Sequence, residues 1–193
     1  MKHLDLGCGH NPRNPYNAEE VFTIDSSLNT SPITTTSSCQ LGLEPIPFEN
    51  NFFQSVSAFD LIEHIPRQAI DFTQGQYHYP FLFLMDEIYR VLKPNGIFFA
   101  LTPAFPAKQS FQDPTHVNFI TEDTASYFCG KDPHATRYGF KGYYQIISNE
   151  WVLPEECYNQ EVNCRLRWRK LRFKYLKGGL THLKWELKAI KQY

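Results

Sequence analysis

The chain has 193 residues, 42% of them hydrophobic and 20% charged, with a formal net charge of −1, a composition that folds rather than one that stays disordered. No apolar run approaches the roughly 20 residues of a membrane-spanning helix, and no cationic, apolar, small-residue leader opens the chain. The expectation is therefore one cytoplasmic domain spanning 1–193. Five cysteines (Cys8, Cys39, Cys129, Cys157, Cys164), odd in number and without C-x-x-C spacing, argue against a disulfide framework and a zinc site. Aromatic residues reach 16%, more than a small core needs, so some should line a pocket or a partner surface.

In chain order, KHLDL at 2–6 predicts a short buried strand, VFTID at 21–25 a second, the 34–40 region a third and SVSAFD at 55–60 a fourth. YPFLFLMDEIYRVLKPNG, 79–96, carries Phe81, Leu84, Ile88 and Leu92 at helical spacing and ends in Lys93-Pro94-Asn95-Gly96, a helix followed by a breaker. IFFALT, 97–102, predicts a buried strand, and TEDTASYF, 121–128, a short helix capped by Thr121. Beyond it, 145–152 and 161–175 suggest two antiparallel strands turning at Pro154. The final stretch suggests a helix with Leu180, Leu183, Leu187 and Ile190 on one stripe. Strands alternating with helices predict an α/β sheet. Within the domain, 1–103 forms a ligand-binding half, 104–164 a substrate-side segment and 165–193 a basic strand and helix.

LDLGCGHNPRN, 4–14, places Gly7 and Gly9 directly after the first strand, where the chain must turn and a ligand can lie against bare backbone. Such a turn sits at the carboxyl edge of the sheet, where open α/β folds bind ligands. The third glycine of a dinucleotide fingerprint is missing, and Pro12 and Pro15 interrupt the helix start, so a pyrophosphate cradle is disfavoured. Asp25 ends the second strand, placed to accept ribose hydroxyls. Glycine turn and acid in this order favour a nucleoside ligand.

These segments, together with PIPFENNFFQSVSAFDLIEHIP (45–66) and MDEIYRVLKPNGIFFALTP (85–103), resemble class I S-adenosylmethionine-dependent methyltransferases of the broad type 11 group. The resemblance covers about 2–103 and continues through DPTHVNFITEDTASYF at 113–128. It implies a Rossmann-like, mostly parallel seven-stranded sheet with helices on both faces and an antiparallel C-terminal edge. It further implies S-adenosyl-L-methionine as cofactor and S-adenosyl-L-homocysteine as product. Position by position, Gly7, Cys8 and Gly9 would lie along the methionine portion with Asp5 orienting the turn, and Asp25 would hold the ribose. Gln40 and Leu41 would face the adenine, where many relatives carry an acid, and Asp60 would close the motif after strand four. Many relatives also have cap helices before the first strand. Here a lid is expected from 67–80, which includes Tyr77 and His78, or from 104–119.

Methyl transfer needs positioning, exclusion of water and sometimes a base. His116, on the loop after the fifth strand with Asp113 three residues before it, is the leading base; His64 and Asp113 are the other catalytic candidates. Each has a plainer reading, an Asp-Pro turn for 113–116 and a packed helix-start residue for His64. No metal-ligand cluster is visible in their spacing. The acceptor implied is an oxygen or nitrogen of a small molecule or saccharide. The alternatives are RNA or protein methylation, or a binding module without turnover. From residue 165 onward the chain holds ten Lys and Arg against one acid, Glu186. That tail is either a docked helix with solvated lysines or a peripheral contact with the anionic inner face of a membrane, with nucleic acid less favoured.

Overall fold

The computed structural model describes residues 1–25, 35–71, 75–158, 168–173 and 179–191. Strands β1 (Lys2–Leu6), β2 (Glu20–Ile24), β3 (Thr35–Ser37) and β4 (Phe53–Phe59) are followed by a small hairpin, β5 (Ala69–Asp71) and β6 (Gln76–His78). Helix α1 (Pro80–Val91) leads into β7 (Leu92–Pro103), then come the short α2 (Gln109–Gln112), β8 (Tyr144–Val152), α3 (Pro154–Tyr158) and β9 (His182–Ala189). Seven strands form one sheet in the order β3-β2-β1-β4-β7-β9-β8. The first five are parallel and β9 runs antiparallel to both of its neighbours.

The sheet obeys the period-2 rule, so its two faces carry different chemistry. Leu4, Leu6, Val56, Ala58, Phe98 and Ala100 point to one side, where Phe81, Leu84, Met85, Ile88 and Val91 of α1 cover them. On the other side Phe59, Phe99, Leu101 and Val152 pack beneath Tyr16 and the α3 residues Cys157 and Tyr158. The helices on the two faces are thus one long and one very short. The second face is polar at its centre: His3 bonds Ser55 and Ser57 (2.8 and 2.9 Å), and Ser57 donates to Asp5 (2.6 Å).

Helix α1 ends at Val91, just ahead of the Lys93–Gly96 breaker expected to stop it, and Pro94 keeps the residue before it out of helical geometry. Lys93–Gly96 are looped out where the β4–β7 register shifts from Phe53↔Leu92 to Ser55↔Ile97. Several sequence expectations are corrected. Residues 168–173 are helical rather than extended, and Pro154 opens α3 instead of a turn. The final amphipathic helix is a strand. Leu183 and Leu187 are four apart, a spacing that both a helix face and a strand face satisfy, but Trp185 and Ala189 complete a strict alternation, and all four are fully buried. At 121–128, a 3₁₀ turn, Thr124–Phe128, replaces the expected α-helix, with Thr124 Oγ1 accepting the Thr121 amide at 2.9 Å.

Among the described residues, part of the basic tail pairs within the fold. Arg169 and Lys170 pair with Glu155 and Glu156 of α3 (both 2.8 Å). Lys191 donates to Asn51 and to the carbonyls of Arg90 and Leu92, and burial lowers its ammonium to about 8. Of the apolar stripe expected either to dock on the sheet or to meet a membrane, Leu183 and Leu187 lie in the sheet core. Among the described residues no helix is long and apolar enough to cross a membrane, and four cysteines are free.

Trp185 is the largest fully buried side chain, and its indole Nε1 lacks a hydrogen-bond partner. Trp185→Ala should lower the unfolding free energy by about 3–5 kcal/mol through loss of packing. Trp185→Phe should cost much less, since no hydrogen bond is lost. Urea denaturation of both variants measures the difference.

Candidate functional site

Two cavities open at the carboxyl edge of the parallel strands. The first, about 760 Å³, is lined by Gly7, Asp25, Ser38, Cys39, Gln40, Leu41, Leu43, Glu44, Leu61 and Ile65. Gly7 lies at φ +65°, and a Cβ there would stand 2.8 Å from Leu61 Cδ1, so only glycine keeps this wall open. Gly9, also left-handed, donates its amide to Asp25 Oδ2 at 2.8 Å, so Asp25 closes the glycine turn while facing the cavity. The far wall is fixed from behind. Arg90 of α1 donates to the carbonyls of Ile46 and Phe48 (both 2.7 Å), and Glu87 accepts the Ile46 amide.

Of the residues expected to bind cofactor, Gly7, Asp25, Gln40 and Leu41 line this cavity. Asp5, Cys8, Gly9 and Asp60 do not. Asp5 is fully buried beneath the turn, accepting the Arg13 amide at 2.7 Å and the Ser57 hydroxyl, so it holds the loop. Cys8 is buried with its thiol toward the Gly9 carbonyl. Asp60 turns to the second face of the sheet, where Tyr158 donates to it and His182 Nε2 lies 3.4 Å away. Its backbone, at φ +48°, directs it there. Glu44 was missed: its carboxylate accepts the Gln40 amide at 2.8 Å, which puts an acid on the wall where Gln40 had seemed to remove one. Its place four residues downstream, across the Gly42 turn, was the only clue.

The second cavity, about 680 Å³, is mostly apolar and rich in rings. Tyr79, Phe81, Phe105, Phe111, Phe119 and Tyr127 are among its walls, with Arg67 and Asp123 as the charged residues. Phe111 of α2 stacks on Phe119 (centroids 4.8 Å) and meets Phe105 edge-on. Both segments expected to supply a lid reach this cavity: Arg67, Gln68 and Tyr79 from 67–80, and Phe105, Phe111 and Phe119 from 104–119. Tyr77 and His78 lie instead in a shallower depression beside it.

Between the cavities runs a 3₁₀ turn, Ile62–His64, after β4. The loop after β7 is stapled onto it: the amides of Val117 and Asn118 both donate to the Glu63 carbonyl (2.9 Å), and Asn118 Nδ2 donates to that of Ile62. This brings His116 against His64, ring centroids 4.7 Å apart and nearly perpendicular. Asp113 Oδ1 accepts the Thr115 hydroxyl at 2.7 Å, and Thr115 Oγ1 lies 3.0 Å from His64 Nδ1. The hydroxyl's one proton is spent on Asp113, so His64 Nδ1 must be the donor and Nε2 keeps the lone pair. His116 Nδ1 faces the Ser110 carbonyl at 3.3 Å, again a protonated Nδ1, while its Nε2 is 4.0 Å from Asp113 Oδ2. Glu63 is 1% exposed; Thr102 donates to its Oε2, and burial raises its carboxyl to about 8. The fold therefore assembles His116, Asp113 and His64, and adds Glu63. Glu63, His64 and His116 form a group of potential metal ligands, which corrects the expectation of no such cluster; Glu63 and His116 are too far apart in sequence for spacing to show it.

A family model described as a methyltransferase domain matches residues 4–100. The chain belongs to the methyltransferase-domain family. It is a class I S-adenosylmethionine-dependent enzyme, with S-adenosylmethionine as its cofactor. No curated protein sequence matches the chain. Among solved structures, it is similar to an S-adenosylmethionine-dependent methyltransferase from Mesorhizobium loti (TM-score 0.57, 14% identity, 97% of this chain and 90% of that one). It is likewise similar to a SAM-dependent methyltransferase from Archaeoglobus fulgidus (TM-score 0.55, 14% identity, 97% and 85%). The same fold is shared by the [4+2]-cyclase SpnF (TM-score 0.56, 14% identity, 99% and 75%). At such identities the likeness is one of fold.

Burial gives His3 and Asp5 opposite pH signatures. It lowers the His3 imidazole from 6.5 to about 4 and raises the Asp5 carboxyl from 3.8 to about 7. Below 6.5 the unfolded chain takes up a proton that folded His3 refuses, so its contribution declines as pH falls toward 4. Folded Asp5 keeps a proton that the unfolded chain releases above 3.8, so its contribution declines as pH rises toward 7. Across this window His3→Gln should tilt stability toward a steeper fall with rising pH, and Asp5→Asn should tilt it the other way. Chemical denaturation at several pH values checks both slopes.

Proposed function

We propose that the enzyme methylates an oxygen or nitrogen of a small molecule or saccharide whose body rests in the aromatic cavity. The observation that carries this reading is the position of the His64–His116 pair. It stands on a turn whose flanks, Leu61 and Ile65, line the cofactor-side cavity, and whose continuation, Arg67 and Gln68, lines the aromatic one. Ring walls suit a planar acceptor or the apolar face of a sugar. Two charged side chains among so many rings favour an acceptor of low charge over a nucleic acid.

The bound cofactor supplies a methyl group activated by its sulfonium. Gly7 gives it close approach to the backbone, Asp25 takes the ribose, and Gln40 with Glu44 faces the base. Leu61 packs against the turn and keeps water from the reacting region. Phe105, Phe111 and Phe119 hold the acceptor, and the loop after β7 brings His116 Nε2 to it. When a bound acceptor is methylated, His116 Nε2 would take its proton. The charge gained by the imidazole is offset by Asp113, whose carboxylate its own Thr115 hydrogen bonds hold below the usual range. We read the whole chain as one domain; the engagement of Arg169, Lys170 and Lys191 within the fold favours a soluble acceptor over a lipid-surface one.

Calorimetric titration with S-adenosylmethionine and S-adenosylhomocysteine tests the first half. Asp25→Ala should weaken both by about tenfold or more, the worth of a hydrogen bond to a charged group; no binding to wild type would sink the reading. For the second half, a panel of phenolic, amine and sugar acceptors should reveal turnover. His116→Ala should lower kcat about 10²- to 10⁴-fold with cofactor affinity intact. Unchanged turnover would remove His116 as the base.

A further inference from the structure

Glu63, His64 and His116 each present one ligand atom within 4.8 Å of the others, and each also has a polar atom held by the fold. Glu63 accepts Thr102 Oγ1 on Oε2, while its buried Oε1 has no hydrogen-bond partner. His64 is held at Nδ1 by Thr115, and His116 at Nδ1 by the Ser110 carbonyl. An outer partner on one ring nitrogen, with the other left as a lone pair, is the arrangement that orients metal-bound imidazoles. A buried Glu63 Oε1 left without a hydrogen-bond partner is costly and is a place a cation would satisfy. Two imidazoles select a transition ion over magnesium or calcium, and three protein ligands leave positions open.

We propose that Glu63, His64 and His116 bind one divalent transition-metal ion between the two cavities, through Glu63 Oε1 and the two Nε2 atoms. Small side-chain rotations close the ligand atoms from their present separation onto one ion. Asp113, 4.0 Å from His116 Nε2, adds negative charge beside it. The site revises one role in the function proposed above, and only this catalytic consequence rests on that reading: with an ion bound, His116 Nε2 is a ligand rather than the base, and open metal positions can take the acceptor's oxygen and ease loss of its proton to solvent. Metal binding itself requires neither cofactor nor turnover.

The test is a titration of chelator-treated, dialysed full-length protein with Co²⁺ in the absence of cofactor. Visible ligand-field absorption saturating at one ion per chain, displaced by Zn²⁺, is expected, together with a Zn²⁺-dependent rise in Tm. Glu63→Gln, His64→Ala and His116→Ala should each weaken binding at least about tenfold, in the range of ligand-shell losses. Thr115→Val, an exposed change, should weaken it less by freeing His64, and serves should a buried variant fail to fold. His78→Ala, on the exposed hairpin, should leave affinity unchanged. No saturable absorption, or binding lost in His78→Ala but retained in His116→Ala, overturns the proposal. Cofactor titration on the same samples separates the readings: Co²⁺ binding without S-adenosylmethionine binding defeats the function and spares the metal site, and the reverse defeats the metal site alone.

Discussion

Asn118 ties the loop after β7 to the turn after β4, and the chemistry of the edge depends on that tie. Its amide and side-chain nitrogen donate to the carbonyls of Glu63 and Ile62, and its oxygen accepts Arg67 Nε at 2.7 Å. The residue is 1% exposed, so each bond replaces water that cannot reach the groups, and losing one costs about 1–3 kcal/mol. β4 and β7 are parallel neighbours, which brings their carboxyl ends side by side but leaves the loops free to splay. Asn118 removes that freedom. It sets His116 on His64 and simultaneously steadies Arg67 at the aromatic cavity's rim.

The division of the sheet into an apolar and a polar face serves the same end. The α1 face supplies the packing, from Leu4 and Leu6 through Phe98 to Trp185. The opposite face spends core volume on His3, Asp5, Ser55 and Ser57. Through Asp5 this network grips the Arg13 amide, eight residues along the chain, and so shapes the glycine turn from underneath. The buried polar groups position the cofactor loop without touching the cavity.

Most of the cofactor half was legible because its signals are local. A five-residue strand alternating polar and apolar side chains, two glycines that need unusual backbone angles, and an acid ending the next strand lie close together in space. The start of α1 and the five parallel strands followed from the pattern, whereas the β5–β6 hairpin did not. What escaped depended on distant partners. Leu183 and Leu187 satisfy both helical and strand spacing, and only β7 and β8 on either side decide between them. Asp60 sits where the family motif would have it face cofactor, yet its left-handed backbone turns it to Tyr158 and His182. The meeting of Glu63 with His116 is created by the Asn118 staple across more than fifty residues.

The location of β9 bears on how the molecule comes to be folded. Its strand pairs with β7, some eighty residues earlier, and also carries β8 at the border of the sheet. Until residues 182–189 arrive, β7 presents an open row of backbone donors and acceptors along an apolar strand, and β8 has nothing to pair with. Contacts so distant in sequence form slowly, and an unpaired hydrophobic edge recruits other chains meanwhile. A nascent chain that stalls short of this strand is therefore a sticky one, and timely completion matters as much to solubility as any surface charge.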